Sequence, residues 1–301
     1  MEADYLIDRR RLKRRIAFWR TAAIVVILAA VSVGALKYSD PKSGNYIARL
    51  KITNFIHNDV ERLAAIENIR TDEDVKALIV RINSPGGTVV GGEALHKALN
   101  RVRKQKPVIA IMDELATSAG YMVAVASDRV IAHAGTITGS IGVLMQTAEV
   151  TDLLYKLGIK VEAIKSGPLK AEPSPFSKIT PQVRGATKSL VDDMYKMFVE
   201  MVADGRNIKI QKVRQLADGR VYTGRMALKI GLVDEIGGER QAKNWLASKK
   251  RIKTSLPIVD ILPQSHVKRW LDYAISLIQK TSISERLILD GLVSVWHPRP
   301  R

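Results

Sequence analysis

"VIAIMDELATSAGYMVAVASD", residues 108–128, is the stretch on which the fold turns. Val108 to Met112 form an unbroken apolar run between Pro107 and Asp113, which reads as a strand covered on both faces. Ala119 to Ala126 then read as an apolar helix. Between them Ala116, Thr117, Ser118, Ala119 and Gly120 are all small. One explanation is a serine N-cap with close helix packing, and on this segment alone it is the plainer one. The other is access. A substrate backbone can reach the Ser118 hydroxyl only if no bulky side chain stands in its way. The helix start also leaves N–H groups unpaired, so the amide of Ala119 is placed to meet an oxyanion formed beside Ser118.

The same order recurs on either side. "NYIARLKITNFI" (45–56) alternates as a strand, and Ala77 to Asn83 form a second one, ending at Ser84-Pro85-Gly86-Gly87. Two glycines there expose backbone N–H groups, so Gly87 is a candidate second oxyanion donor. "GGEALHKALNRVRKQ" (91–105) carries Ala94, Leu95, Ala98, Leu99 and Val102 at helical spacing. "RVIAHA" reads as a strand after the 119–126 helix. Residues 139–165 repeat the theme with "GSIGVLM", a helix around Asp152 to Leu157, and a strand in "KVEAIKSG" (160–167). A long helix is predicted from Thr180 to about Gly205, then a helix-loop unit in "GRMALKIGLVDEIGG" (224–238). Strands alternating with helices predict an α/β domain.

The chain has 301 residues, 46% of them apolar, and no cysteine. Thiol nucleophiles, disulfides and cysteine metal sites are therefore excluded. Neither a G-x-x-x-x-G-K-[ST] loop nor an H-E-x-x-H motif occurs, so no metal and no cofactor is expected. The formal charge is +18, yet the basic residues are spread along the chain and aromatics make up only 5%. That pattern argues against a nucleic-acid partner and for a membrane-proximal protein. Arg9, Arg10, Arg11, Lys13, Arg14, Arg15 and Arg20 precede the apolar run "TAAIVVILAAVSVGAL" (21–36). Counted from Ile16, that segment reaches across a bilayer, with its basic side cytoplasmic. A cleaved signal peptide is the competing reading; "SVGALKYSD" offers a poor cleavage site, which favours an uncleaved anchor.

These signals predict a basic arm at 1–15, a transmembrane anchor at 16–36, a linker at 37–45, a catalytic domain at 46–248 and a basic tail at 249–301. Within the tail "KKRIK" and Pro257 to Pro263 read as a linker. Val267, Trp270, Leu271, Ala274 and Leu277 share one helical face, suited to docking on the domain, to pairing with another subunit or to lying on a bilayer, with docking the plainer reading.

A serine nucleophile needs a base. His57 and His96 fall on expected surface turns or helices, and His266 and His297 lie in the tail. Only His133, in "AHAGT", is near the expected core. Lys170, in "IKSGPLKAEPSPF", is the other candidate.

The succession "NSPGG", "ATSAGY", "TGSIGV", "IKSGPLK" and "ADGRVYTGRMALKIGLVDEIGG" resembles the signal peptide peptidase A (SppA) family of serine-lysine proteases, from about Tyr46 to Ala247. The resemblance implies a Clp-protease/crotonase-like spiral of ββα units. It places the nucleophile at Ser118 and the general base at Lys170, 52 residues on. It places the oxyanion donors at Gly87 and Ala119, and a lysine-orienting hydroxyl at Ser140. Ala119 stands where many relatives have glycine; it adds a methyl and keeps the N–H. A single protease unit resembles the short members, which form homo-oligomeric rings or domes whose neighbouring subunits complete each site. The substrates implied are remnant signal peptides and other unfolded apolar peptides, and the place implied is the extracytoplasmic side of the bacterial inner membrane. Two rivals use the same elements: a crotonase-type acyl-CoA enzyme, which suits an anchor and a Ser-Lys pair poorly, and an inactive membrane scaffold.

Overall fold

The computed structural model describes residues 15–16, 18–25 and 44–261, with the backbone of residues 293–295. Two compact units divide at Gly44. In the first, residues 18–25 are helical. Among the described residues no helix is long and apolar enough to cross a membrane. Residues 26–36 of the expected anchor, the linker up to 43 and the Val267–Leu277 stretch lie outside the described residues.

The second unit is a mixed α/β domain on a mainly parallel sheet. It opens with β1 (Tyr46–Thr53), α1 (Val60–Thr71), β2 (Val75–Ser84), the short β3 (Gly86–Thr88) and α2 (Val89–Arg103). Then come β4 (Val108–Thr117), α3 (Ala119–Ala124), β5 (Arg129–Ala132), β6 (Ile137–Gly139) and α4 (Thr151–Lys156). The chain continues through α5 (Pro181–Arg206), α6 (Ile210–Leu216), β7 (Val221–Thr223), α7 (Gly224–Lys229), β8 (Glu235–Ile236), α8 (Glu239–Lys250) and β9 (Ile258–Ile261). The sheet order is β7-β6-β4-β2-β1-β9, with β5 on β4 and β8 on β5; only β6–β7 is antiparallel.

Both sheet faces are covered, which is why the central runs of β2 and β4, residues 77–80 and 108–112, are apolar without alternation. Leu78, Val80 and Ile82 join the core shared with α1, α2, α3 and α5. Ile79, Ile109, Ile111 and Ile131 meet Ala242 and Leu246 of α8 on the other face. Each fully buried isoleucine or leucine contributes about 1.5–3 kcal/mol. β4 is the pivot, because its first half pairs with β5 and its end, Leu115 to Thr117, pairs with β6.

The long helix α5 starts where its sequence predicts. Thr180 caps it, accepting from the Val183 amide at 3.2 Å, Pro181 follows, and left-handed Asn207 ends it. Two expectations fail. "KVEAIKSG" forms no strand, and of "GSIGVLM" only Gly139 lies in one. An extended segment needs a ladder partner, and residues 159–164 are exposed along the chain. The stretch 257–263 is not simply a linker. Ile258–Ile261 pair parallel with β1, and Arg49 and Lys51 both donate to Asp260. The hydrogen bond from Arg49 leads in holding that carboxyl down at about 2, against the opposing effect of burial. The ordered domain therefore runs past residue 248.

A buried ion pair ties the end of α5 to the sheet. Arg206 donates to both Asp234 oxygens, at 2.8 and 2.6 Å, and from Nε to the Gly231 carbonyl at 3.0 Å; Asp234 also accepts the Val130 amide at 2.7 Å. Burial would raise the Asp234 carboxyl, but the Arg206 hydrogen bonds and charge outweigh it, and the group is held below its ordinary value. A depressed carboxylate stabilises the fold above its unfolded pKa, and that stabilisation is lost as pH falls through the folded one. Arg206→Ala is expected to destabilise the domain by about 3–5 kcal/mol at neutral pH. The deficit should shrink below about pH 4, where the orphaned carboxyl protonates; urea unfolding at the two pH values checks both parts.

Candidate active site

The carboxyl ends of β2, β4 and β6 converge on Ser118. Its N–H donates to the Gly139 carbonyl at 2.9 Å, across the β4–β6 pairing. The hydroxyl of Thr117 donates to Pro85 O at 2.9 Å, and that of Thr138 to Ala116 O at 2.7 Å. On the β2 side, Ser84 donates to Asn54 O at 2.6 Å and accepts the Gly86 amide at 3.1 Å. These bonds lock three strand ends around one residue.

Ser118 sits at the N-cap position of α3 with φ 56° and ψ −122°, and its side chain makes no cap hydrogen bond. A capping serine is extended and bonds to the helix amides, so the N-cap explanation fails on both counts. The Ser118 carbonyl instead receives the amides of Tyr121 and Met122 at 2.8 and 3.0 Å. Positive φ in a non-glycine residue is uncommon and clusters at functional sites. Ser140 (φ 50°) and Ala171 (φ 59°), which adjoins Lys170, share it.

The other candidates fall in two groups. Ala119 is fully buried at the start of α3. Ser140 follows Gly139, the acceptor of the Ser118 amide, and donates its own N–H to Arg220 O at 2.8 Å. Gly87 lies in β3, which is held to Ile56 by Ile56 N–H to Gly86 O and Thr88 N–H to Ile56 O, both 2.8 Å. Gly87, Ser118, Ala119 and Ser140 thus gather at one end of the sheet. Lys170 does not join them inside the domain. It ends a turn whose Lys170 N–H donates to Gly167 O at 3.2 Å, on an exposed arm spanning residues 143–180.

Two described histidines, His133 and His96, have other surroundings. His133 lines a polar depression with Arg81, Asp113 and Glu114, and its ring lies against Gly238. His96 is buried, against the expectation of a surface position, because α2 is packed on both sides. Its Nδ1 is 2.8 Å from Met122 O, and burial pushes its pKa down. Among the described residues no cluster of histidine and carboxylate side chains could hold a metal.

Sequence reasoning did not single out β3's second neighbour. Residues 293–295 pair antiparallel with Gly86–Thr88, placing Ser294 opposite Gly87. The backbone N–H and C=O groups of "PGG" are the signal that was available, since they can pair with an extended segment.

The model of peptidase family S49 matches residues 100–253, half of the chain. The chain belongs to peptidase family S49. A Synechocystis sp. protein that carries a protease name is 39% identical over 204 residues, covering 67% of this chain and 73% of that protein. An Enterococcus faecium protein that carries the name signal peptide peptidase SppA is 32% identical over 237 residues, 77% of this chain and 69% of that one. Protease 4 of Haemophilus influenzae is 36% identical over 174 residues, 58% of this chain but only 28% of its own length. The chain is therefore a peptidase of the SppA family, and its substrates are peptides.

One position has no room for change. A Cβ on Gly87 would lie 1.8 Å from the Ile56 carbonyl oxygen. Gly87→Ala is expected to force β3 away from Ile56 and destabilise the domain by about 1–3 kcal/mol. Peptide turnover should fall about 100-fold or more. Cleavage rates and denaturant midpoints, measured side by side, check the two effects.

Proposed function

We propose that this SppA-family peptidase hydrolyses remnant signal peptides and other unfolded apolar peptides through a Ser118–Lys170 dyad. The observation that carries the reading is the backbone of Ser118: left-handed, wedged between three strand ends, with a side chain that does not cap the helix it precedes. The chemistry follows. Neutral Lys170 takes the hydroxyl proton of Ser118 while Oγ attacks the scissile carbonyl carbon. The amides of Gly87 and Ala119 hold the oxyanion. The Lys170 ammonium then protonates the leaving amine and the C–N bond breaks. Water, deprotonated by Lys170, attacks the acyl-enzyme and restores Ser118. Ser140 orients the lysine amine. The pairing of residues 293–295 with Gly86–Thr88 supports an extended substrate on that edge.

The reading has one demand that a single chain does not meet. A free lysine is about one part in 2,500 neutral at pH 7, so the base must be desolvated, and Lys170 is exposed. The arm that bears it also exposes Tyr155, Leu157, Val161 and Ile164, the last at 99%. Contiguous exposed apolar surface marks an interaction face. A homo-oligomer in which this arm packs on the neighbouring subunit covers that surface and desolvates Lys170, bringing it to the neighbour's Ser118. The strand and helix order fits a Clp-protease/crotonase-like spiral. We place the protein in the bacterial inner membrane, held by residues 16–36 with the protease domain outside the cytoplasm, near the peptides it removes.

Ser118→Ala and Lys170→Ala are each expected to lower cleavage of an apolar reporter peptide by about 10³-fold or more, with assembly unchanged. Turnover by the wild type should rise with pH, because the neutral amine is the active form. Retained turnover in Lys170→Ala would assign the base elsewhere; a flat profile from about pH 5 to about pH 9 would contradict a titrating lysine.

A further inference from the structure

The arm carrying Lys170 is exposed, yet one of its carboxylates is not. The Glu172 side chain is 8% exposed. It accepts from Lys165 Nζ at 2.6 Å, from the Ser177 hydroxyl at 3.1 and 3.2 Å, and from the Ser174 amide at 3.0 Å. These bonds close residues 165–177 into a loop around one carboxylate. Lys170 is carried on that loop, on a turn set by Lys170 N–H to Gly167 O at 3.2 Å, Glu172 N–H to Leu169 O at 3.4 Å and a left-handed Ala171.

A carboxylate is a poor neighbour for a base that has to shed its proton, since negative charge stabilises the ammonium. Here that charge is met locally. The Lys165 hydrogen bond leads in holding the Glu172 carboxyl below its ordinary value, with Ser177 and Ser174 adding to it. The pocket beside Glu172 adds no opposing charge: Met145, Leu169, Val183, Ala186, Thr187 and Leu190 line it. The arm's other ion pair, Lys178 with Asp152 at 3.5 Å, is neutral as a unit.

We infer that Lys165 and Glu172 are a positioning pair for Lys170: they lock the turn that presents the base and cancel each other's charge beside it. This rests on the reading of Lys170 as the base. A staple that merely held the loop would be indifferent to which partner carries which charge. A charge-balanced staple is not. Lys165→Met leaves Glu172 negative and should make the base harder to deprotonate. Glu172→Gln keeps an acceptor for Ser174 and Ser177, leaves Lys165 positive and should make the base easier to deprotonate.

The test is the pH–rate profile of the full chain in detergent, with a fluorogenic apolar peptide, for wild type, Lys165→Met, Glu172→Gln and the double variant. The acid limb should move up by about 0.5 pH unit or more in Lys165→Met and down by a similar amount in Glu172→Gln. In the double variant it should return close to the wild-type position. Limbs that stay in place while rates fall, or that move in the same direction, overturn the inference. Thermal melts check folding. If Glu172→Gln unfolds, Lys165→Met carries the test alone, because it leaves Ser174 and Ser177 on the carboxylate. Lys170→Ala run alongside separates the two levels. An active Lys170→Ala overturns the dyad itself, whereas an inactive one with unmoved limbs overturns only the pairing.

Discussion

The hydrogen bond from the Ser118 amide to the Gly139 carbonyl fixes the one residue that the rest of the domain is arranged to hold. Its N–H is held on β6 by the last bond of the β4–β6 ladder, and α3 begins at the very next residue, so the chain turns sharply at Ser118. It takes a left-handed backbone that costs on the order of 1–3 kcal/mol. Such a residue persists only where its surroundings over-determine it. Here they do, because Thr117, Ser84 and Thr138 each bond across a different strand end. The helix that follows is buried along its whole length. Burial keeps the Tyr121 hydroxyl protonated, and it donates to Leu232 O at 2.7 Å. The serine is strained because everything around it is not.

The small residues of "ATSAG" have a second consequence. Gly120 lets α3 approach the end of β2, where a Cβ would lie 3.2 Å from Ser84 O. β2, β3 and α3 can therefore crowd against one another, and the amides of Gly87 and Ala119 come to the same end of the sheet. Larger residues would separate the two loops, and no one site could draw on both. Side-chain size at the strand ends is thus what brings these two backbone segments together, as the proposed peptide site requires.

Much of this was legible in the sequence, for reasons that can be named. β2 and β4 announce themselves because their central runs, 77–80 and 108–112, are buried on both faces and carry no polar residue, and α5 because Thr180-Pro181 is a strong start signal. The conjunction of small residues at 116–120 with Pro-Gly-Gly at 85–87 pointed to the site. α1 and α8 were not read, since their apolar faces are narrow: α1 buries Ile66 and Ile69, and α8 buries Ala242 and Leu246. β9 was hidden by its flanking prolines, although an edge position tolerates them. "KVEAIKSG" misled in the opposite direction. Its alternation of Val161, Ala163 and apolar neighbours is that of a strand, but a pattern supplies no ladder partner, and within one chain none is offered.

That failure bears on the mechanism. On the proposed reading, nucleophile and base face different structural problems, and the chain solves them with different parts. Ser118 must be rigid and is embedded where the core can hold it. Lys170 must be dry when it acts, yet it sits on an arm with no core beneath it, where each residue ordered costs about 1–2 kcal/mol of backbone entropy. Tertiary packing is not available there to fix a turn, so local bonds have to, and a single carboxylate with three donor groups is an economical way to fix thirteen residues. A carboxylate alone would defeat its purpose by stabilising the protonated amine. In the inferred pairing, the Lys165 ammonium meets that charge on the arm itself. What then remains is desolvation, which no residue on the arm can provide and which its exposed apolar side chains are suited to obtain from a neighbouring surface.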